Sequence, residues 1–148
     1  MKVHVFTRKQ IETGIPIKPA YVVISIRNSG EPLAKVKKQP GLQDVLYLAF
    51  SGIDPAHGAR LGRKIKYFTP AQANKICAFV QRHKADVGAF VVHCEQGKSR
   101  SPAVAAATSE ALGMNAKRFW KTHTPSEYIF KILSDAFQRN AAAPQKGK

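Results

Sequence analysis

The sequence has few cysteines, few acidic residues and no long apolar run. Its two cysteines, Cys77 and Cys94, cannot build a disulfide framework, which favours a reducing compartment. No run approaches the roughly 18 apolar residues that span a membrane, and residues 1–10 mix charges with apolar side chains, unlike a signal peptide. The two cysteines and five histidines show no metal-ligand spacing. We therefore expect a soluble, cytoplasmic protein without a metal or other cofactor.

The scarcity of acidic residues leaves a large positive charge. The chain has 24 Lys and Arg against 9 Asp and Glu, which gives a net charge of +15. Such a field attracts phosphorylated surfaces and polyanions, including RNA, but does not by itself identify a partner. A chain of 148 residues, 44% of them apolar, suits one compact domain. We expect a domain over residues 1–140 and a disordered tail over residues 141–148; the oligomeric state is left open.

Strand patterns alternate with helix patterns along the chain. Residues 21–26 and 45–50 read as strands buried on both faces, and residues 2–7 read as an edge strand. Helices are expected from Thr69-Pro70, from Val104 to Leu112, and at the end of the domain, whereas residues 8–19 and 56–66 are expected to form loops. This alternation predicts an α/β domain with a mostly parallel sheet and helices on both faces.

A loop between the last predicted strand and the alanine-rich helix is the most informative segment. An apolar run ends on Cys94, and Arg100 follows at the predicted start of the helix. The first amides of a helix lack partners and lie at the positive end of its dipole, so the loop can bind an anion. Gly97 allows successive N–H groups to converge, and Arg100 offers a planar fork of donors. We expect a thiolate at Cys94 and a phosphate site formed by Glu95, Gln96, Gly97, Lys98, Ser99 and Arg100.

The pattern Cys94-x5-Arg100-Ser101, preceded by Val92-His93, resembles the phosphate-binding loop of cysteine-dependent protein tyrosine and dual-specificity phosphatases, especially the small bacterial and phage type. The resemblance implies a phosphatase-like single domain with a compact sheet of four or five strands. It also implies a phosphocysteine intermediate on Cys94, with Arg100 holding the phosphoryl oxygens and the Ser101 hydroxyl stabilising the departing thiolate. The reaction implied by this resemblance needs no metal.

The resemblance also requires a general acid on a loop that follows a strand upstream of the cysteine. Asp54 follows the strand that ends at Phe50 and is the best candidate, with Glu31 and His57 next. Its alternative role is to fix the Asp-Pro turn. The chain departs from related small phosphatases here, because Ser51 and Gly52 stand where these often carry acidic residues.

These observations favour a phosphomonoester hydrolase, most simply a protein tyrosine or dual-specificity phosphatase acting on a phosphorylated protein. Removal of phosphate from RNA 5′ ends is an alternative, which the net charge would assist. A non-catalytic module that captures phosphate or polyanions is another, although capture does not require a thiolate. In the simplest alternative, Cys94 is an inert core thiol and Arg100 a solvated charge.

Overall fold

The computed structural model describes residues 1–62 and 64–142. Four strands form one sheet: β1 (Lys2–Thr7), β2 (Tyr21–Arg27), β3 (Leu42–Ala49) and β4 (Ala89–Cys94). The described helices are α1 (Arg8–Thr13), α2 (Pro55–Gly58), which continues into a 3-10 turn (Ala59–Leu61), α3 (Pro70–His83), α4 (Arg100–Ala111), α5 (Lys117–Thr122) and α6 (Glu127–Ala142).

The sheet is parallel throughout, with the strand order β1-β4-β2-β3. The two central strands, β2 and β4, are buried on both faces, as their continuous apolar sequences require. β1 lies at one edge, as predicted. The prediction that β3 is fully buried is wrong, because β3 forms the other edge and Tyr47 is 40% exposed. Parallel pairing brings the carboxyl ends of all four strands to one side of the sheet.

Helices cover both faces of the sheet, which confirms the predicted fold class. One face packs against α3, α4 and α6, and α4 is buried on nearly every side. The other face packs against α1 through Ile11 and against the segment that holds Ile15. Cys77 lies inside the larger core on α3, where burial raises the pKa of its thiol to about 11.

Two segments that were predicted to be loops contain short helices instead. Residues 8–13 form α1, which begins with reciprocal hydrogen bonds: Thr7 Oγ1 accepts from the Gln10 amide at 3.1 Å, and Gln10 Oε1 accepts from the Thr7 amide at 2.8 Å. The second segment contains α2 and the 3-10 turn, with Asp54 as the helix cap. Both helices are too short to show an apolar period, so only their caps signal them.

The C-terminal helix extends slightly beyond the predicted domain. α6 continues to Ala142, two residues past the predicted boundary at residue 140. Residues 143–148 of the predicted tail lie outside the described residues. Within residues 1–62 and 64–142, the length and apolar character of the helices fall short of what crossing a membrane requires.

The start of α3 agrees with its sequence signal and connects this helix to the sheet. Thr69 Oγ1 accepts from the Gln72 amide at 3.2 Å, and Gln72 Oε1 accepts from the Thr69 amide at 3.2 Å. The Gln72 side-chain amide also donates to the Ala49 carbonyl at 2.9 Å, at the end of β3. The cap therefore stabilises the helix and fixes where it begins relative to the sheet.

We predict that Thr69→Ala destabilises the protein by about 1 kcal/mol, because the Gln72 amide loses its side-chain acceptor. Thr69→Ser keeps a hydroxyl at this position, so its free energy of unfolding should fall much less. Urea denaturation of the wild type and both variants measures the difference. Equal stability of the alanine and serine variants would show that the hydroxyl contributes nothing.

Candidate active site

A cleft of about 840 Å³ opens at the carboxyl ends of the strands. It is lined by Cys94 and most of the loop after it, by Asn28 and Ser29 after β2, by residues 51–53 after β3, and by residues 64–66. The segments that follow the two central strands thus meet at one site. This is where parallel α/β sheets generally bind ligands.

The carbonyl groups of the loop after β4 are held by neighbouring elements. The Glu95 carbonyl accepts from the Arg8 amide at 3.2 Å, and the Lys98 carbonyl accepts from the Thr124 amide at 3.0 Å. In a trans peptide, the N–H that follows a carbonyl points the opposite way. Within the described part of the chain, the amides of residues 95–100 have no backbone acceptor. The loop therefore offers several N–H donors to an anion.

Gly97 provides the bend in this loop. Its φ of 68° lies in the left-handed region that favours glycine. The loop also passes close to β1: a β-carbon at position 97 would lie 3.4 Å from the Phe6 carbonyl oxygen. A larger residue would be strained by the backbone angle alone, so the predicted role of Gly97 has a geometric basis.

The structure brings together the predicted nucleophile and the predicted hydroxyl. Cys94 is the last residue of β4 and is 3% exposed, and Ser101 is buried in the first turn of α4. Cys94 Sγ and Ser101 Oγ are 3.1 Å apart. When the sulfur is a thiolate, the hydroxyl must be the donor, so Ser101 can stabilise a negative charge on Cys94.

Arg100 is fixed by contacts with the segments after β2 and β3. Its Nη1 donates to Asn28 Oδ1 at 2.7 Å and to the Phe50 carbonyl at 2.9 Å. Gly52 lies against the Arg100 stem, where a β-carbon would approach Cγ to 3.2 Å. Among the described residues, no acceptor binds Nε or Nη2. That edge of the guanidinium has the planar pair of donors that can bind two oxygens of a phosphate.

Asn28 is a site residue that the sequence analysis missed. Its side-chain amide donates to Glu31 Oε1 at 3.0 Å, and the Glu31 carbonyl accepts from Arg27 Nε at 2.9 Å. A hydrogen-bonded chain thus connects the turn after β2 to Arg100. The available signal was positional: Asn28 directly follows a buried parallel strand, as Cys94 does.

His93 supports the loop from inside the sheet. It is fully buried, its Nδ1 lies 3.2 Å from the Cys94 carbonyl, and its Nε2 lies 2.6 Å from Ser25 Oγ. Burial lowers the pKa of His93 from 6.5 to about 4, so the ring is neutral near pH 7. Because a carbonyl can only accept, Nδ1 carries the proton and Nε2 accepts from the Ser25 hydroxyl.

The predicted general acid is not among the residues that line the cleft. Asp54 is exposed, and its Oδ1 accepts from the His57 amide at 2.8 Å as the cap of α2. Glu31, the next candidate, binds Asn28 instead. Among the described residues that line the cleft, Glu95 is the one carboxylate. The catalytic role of Asp54 stays a prediction.

Basic side chains surround the cleft. Lys64, Lys66 and Lys98 line it together with Arg100. The Lys66 carbonyl accepts from the Ser51 amide at 2.7 Å, which holds this basic segment beside the turn after β3. Arg63 lies outside the described residues. The end of the segment that was predicted to be a loop, residues 56–66, therefore contributes basic side chains to the site.

Comparison with known proteins shows the fold. The chain matches no protein-family model and no curated protein. It is similar to the structure of a mouse protein described as a dual-specificity phosphatase, complexed with zinc tungstate (TM-score 0.61, 18% identity, covering 95% of this chain and 84% of that one). Human DUSP28 is similar as well (TM-score 0.60, 17% identity, 95% and 94% covered).

A third similar structure is the human tyrosine phosphatase-like serine/threonine/tyrosine-interacting protein (TM-score 0.55, 19% identity, 83% and 80% covered). The chain therefore has the fold of dual-specificity phosphatases. This agrees with the resemblance seen in the Cys94 loop. At these identities the similarity establishes the architecture, and the chemistry has to be argued from the site.

We predict that Asn28→Ala weakens tungstate binding by about 10-fold, because Arg100 loses one of the two acceptors that fix its orientation. Isothermal titration calorimetry measures the affinity. Ser29→Ala, at the neighbouring cleft residue, is the matched control and should bind as the wild type does. Unchanged affinity in Asn28→Ala would mean that the Phe50 carbonyl suffices to orient Arg100.

We predict that the buried His93 makes the protein sensitive to acid. The unfolded chain binds a proton at His93 near pH 6.5, whereas the folded chain does so only near pH 4. Stability is therefore lost as the pH falls from about 6.5 to about 4, by up to roughly 3 kcal/mol. Urea denaturation at about pH 7 and about pH 4.5 measures how much stability is lost on acidification. This loss should be smaller in His93→Gln than in the wild type. Equal losses would contradict this assignment.

Proposed function

We propose that the protein is a phosphatase that transfers a phosphoryl group from a phosphomonoester to Cys94 and then to water. The observation that carries the proposal is the position of Cys94 Sγ, 3.1 Å from Ser101 Oγ at the base of a loop whose amides lack backbone acceptors. A thiol in an inert core would need neither feature. Phosphorylated tyrosine in proteins, with or without phosphorylated serine and threonine, is the substrate class that the resemblance of the loop favours.

In the first step, the Cys94 thiolate attacks phosphorus and the bond to the leaving oxygen breaks. The electron pair stays on that oxygen, which takes a proton from an acid or from solvent. Negative charge on the phosphoryl oxygens is stabilised by the amides of residues 95–100 and by the Nε–Nη2 edge of Arg100. These donors are already in place, so little reorganisation accompanies the reaction. The neutral His93 ring fixes the Cys94 carbonyl and so the backbone orientation at the nucleophile.

In the second step, water attacks phosphorus and loses a proton to solvent, and the phosphorus–sulfur bond breaks with its electron pair returning to sulfur. The Ser101 hydroxyl stabilises the thiolate that leaves. Asp54, the acid predicted from the sequence, accepts from the His57 amide through one carboxyl oxygen, so only its other oxygen could carry a proton for the leaving group. A binding module without turnover would use the same cradle, meaning the amides of residues 95–100 together with Arg100. The buried hydroxyl beside the sulfur instead favours a reaction that generates a thiolate.

We predict that Cys94→Ser abolishes turnover of p-nitrophenyl phosphate but binds tungstate within a few-fold of the wild type. The cradle consists of backbone amides and Arg100, whereas the covalent step requires the thiolate. Steady-state kinetics and calorimetry on the same preparations measure the two properties. Cys77→Ala, which removes the other thiol, is the control and should retain activity. Turnover in Cys94→Ser near the wild-type rate would overturn the proposed mechanism.

A further inference from the structure

The cleft is poor in groups that could protonate a leaving oxygen. Among the described residues, Glu95 is its one carboxylate, and Glu95 belongs to the loop that would surround the phosphoryl group. In an in-line displacement, the leaving oxygen departs on the side opposite Cys94 Sγ. Asp54 and Glu31, the carboxylates nearest by sequence to the cleft segments, are not among the residues that line it. One oxygen of each already accepts a hydrogen bond, from the His57 amide and from the Asn28 side chain. The described cleft therefore favours leaving groups that depart without a proton.

Leaving groups differ widely in this requirement. An alkoxide from phosphoserine has a basicity close to that of hydroxide and leaves poorly unless it is protonated. The phenolate from phosphotyrosine has a conjugate acid with a pKa of about 10. A phosphate released from an anhydride has a pKa of about 6 and leaves as an anion near neutral pH. General acid catalysis is typically worth about 10²–10⁴-fold, and an anhydride depends on it least.

The charges of the cleft point to the same kind of substrate. Lys64, Lys66 and Lys98 line the cleft in addition to Arg100, and none of the three lysines forms a salt bridge among the described residues. One phosphoryl group, with a charge of about −1.5 to −2, is matched by Arg100 and the loop amides. The three lysines remain to bind further phosphates of a polyphosphate chain.

We propose that the cleft also hydrolyses the terminal anhydride of a triphosphate, with a higher kcat/KM than for an alkyl phosphomonoester. This inference rests on the proposed function, because it uses the same thiolate and loop. Cys94 Sγ attacks the terminal phosphorus, the bridging phosphorus–oxygen bond breaks, and the diphosphate end leaves with the electron pair and no proton. Water then displaces sulfur from phosphorus and releases a proton to solvent. The products are a diphosphate and inorganic phosphate, and sulfur is again a thiolate.

The substrate test compares leaving groups on the whole chain. Inorganic tripolyphosphate, ATP and a short RNA with a 5′-triphosphate share the terminal anhydride, and their relative rates identify which source of the triphosphate is preferred. A phosphotyrosine peptide, a phosphoserine peptide and p-nitrophenyl phosphate are the monoesters. We expect kcat/KM for the best triphosphate to exceed that for the phosphoserine peptide by roughly 10²-fold or more. The phosphotyrosine peptide should lie between them.

The charge test uses matched double variants. Lys64→Ala/Lys66→Ala should lower kcat/KM for tripolyphosphate by about 10-fold and for p-nitrophenyl phosphate by a smaller factor, because only the longer substrate extends beyond Arg100. The control, Lys37→Ala/Lys38→Ala, removes the same charge from exposed positions outside the residues that line the cleft. Equal losses in the two double variants would show that only the overall field acts and would overturn the assigned subsite.

The acid test separates this inference from the proposed function. Suppose that kcat/KM for the phosphopeptides falls by about 10²-fold in Asp54→Asn or Glu95→Gln and that the alkaline limb of the pH profile disappears. The cleft then has a general acid and the inference fails, while the phosphatase proposal stands. Asparagine remains a good helix cap, so α2 is preserved in Asp54→Asn. If no monoester or triphosphate is hydrolysed, both proposals fail. Hydrolysis of p-nitrophenyl phosphate without any triphosphate overturns the inference alone.

Discussion

The site depends on one constraint: a buried strand must end and a helix must begin within the few residues between Cys94 and Arg100, while the amides between them stay without backbone partners. Glu95, Gln96 and Lys98 are exposed, so burial does not fix the loop, and its shape depends on contacts with its backbone carbonyls. Here the carbonyls are held from outside, through the Arg8 and Thr124 amides. The donors are then available to a ligand without the loop having to rearrange.

The strand order explains why the remaining site residues come together. β2 and β4 are neighbours at the centre of the sheet, so the segments after them end side by side although they are far apart in the chain. Ser25 and His93 are paired in the register of these strands and form the buried hydrogen bond beneath the loop. Asn28, just after β2, likewise contacts Arg100, in the helix that follows β4, by accepting a hydrogen bond from it. The support of the loop is thus a direct result of parallel pairing.

The sequence predicts the parts of this structure that have a long local signal. These parts can be recognised because their patterns are long or distinctive. They are the apolar runs of β2 and β4, the capped start of α3 and the small apolar residues of α4. The short helices α1 and α2 do not, and the burial of β3 was misjudged because an apolar run cannot reveal that its strand lies at an edge. The link between Asn28 and Arg100 joins residues 72 positions apart and has no local signature. The sequence left open whether Asp54 fixes its turn or acts as an acid, and the structure shows one carboxylate oxygen accepting from the His57 amide.

The loop is held by two segments that are far apart in the sequence, which also bears on when during folding the loop takes its shape. One carbonyl is held by Arg8, close to the N-terminus, and another by Thr124, just before α6. Contacts between distant parts of a chain form late in folding, because loop closure opposes them until the intervening structure is in place. We therefore expect a nascent or truncated chain that lacks the α5–α6 connection to contain Cys94 without a working cradle. The proposed transfer of a phosphoryl group to Cys94 would then become possible only after the segment that contains Thr124 has been synthesised and has bound the loop.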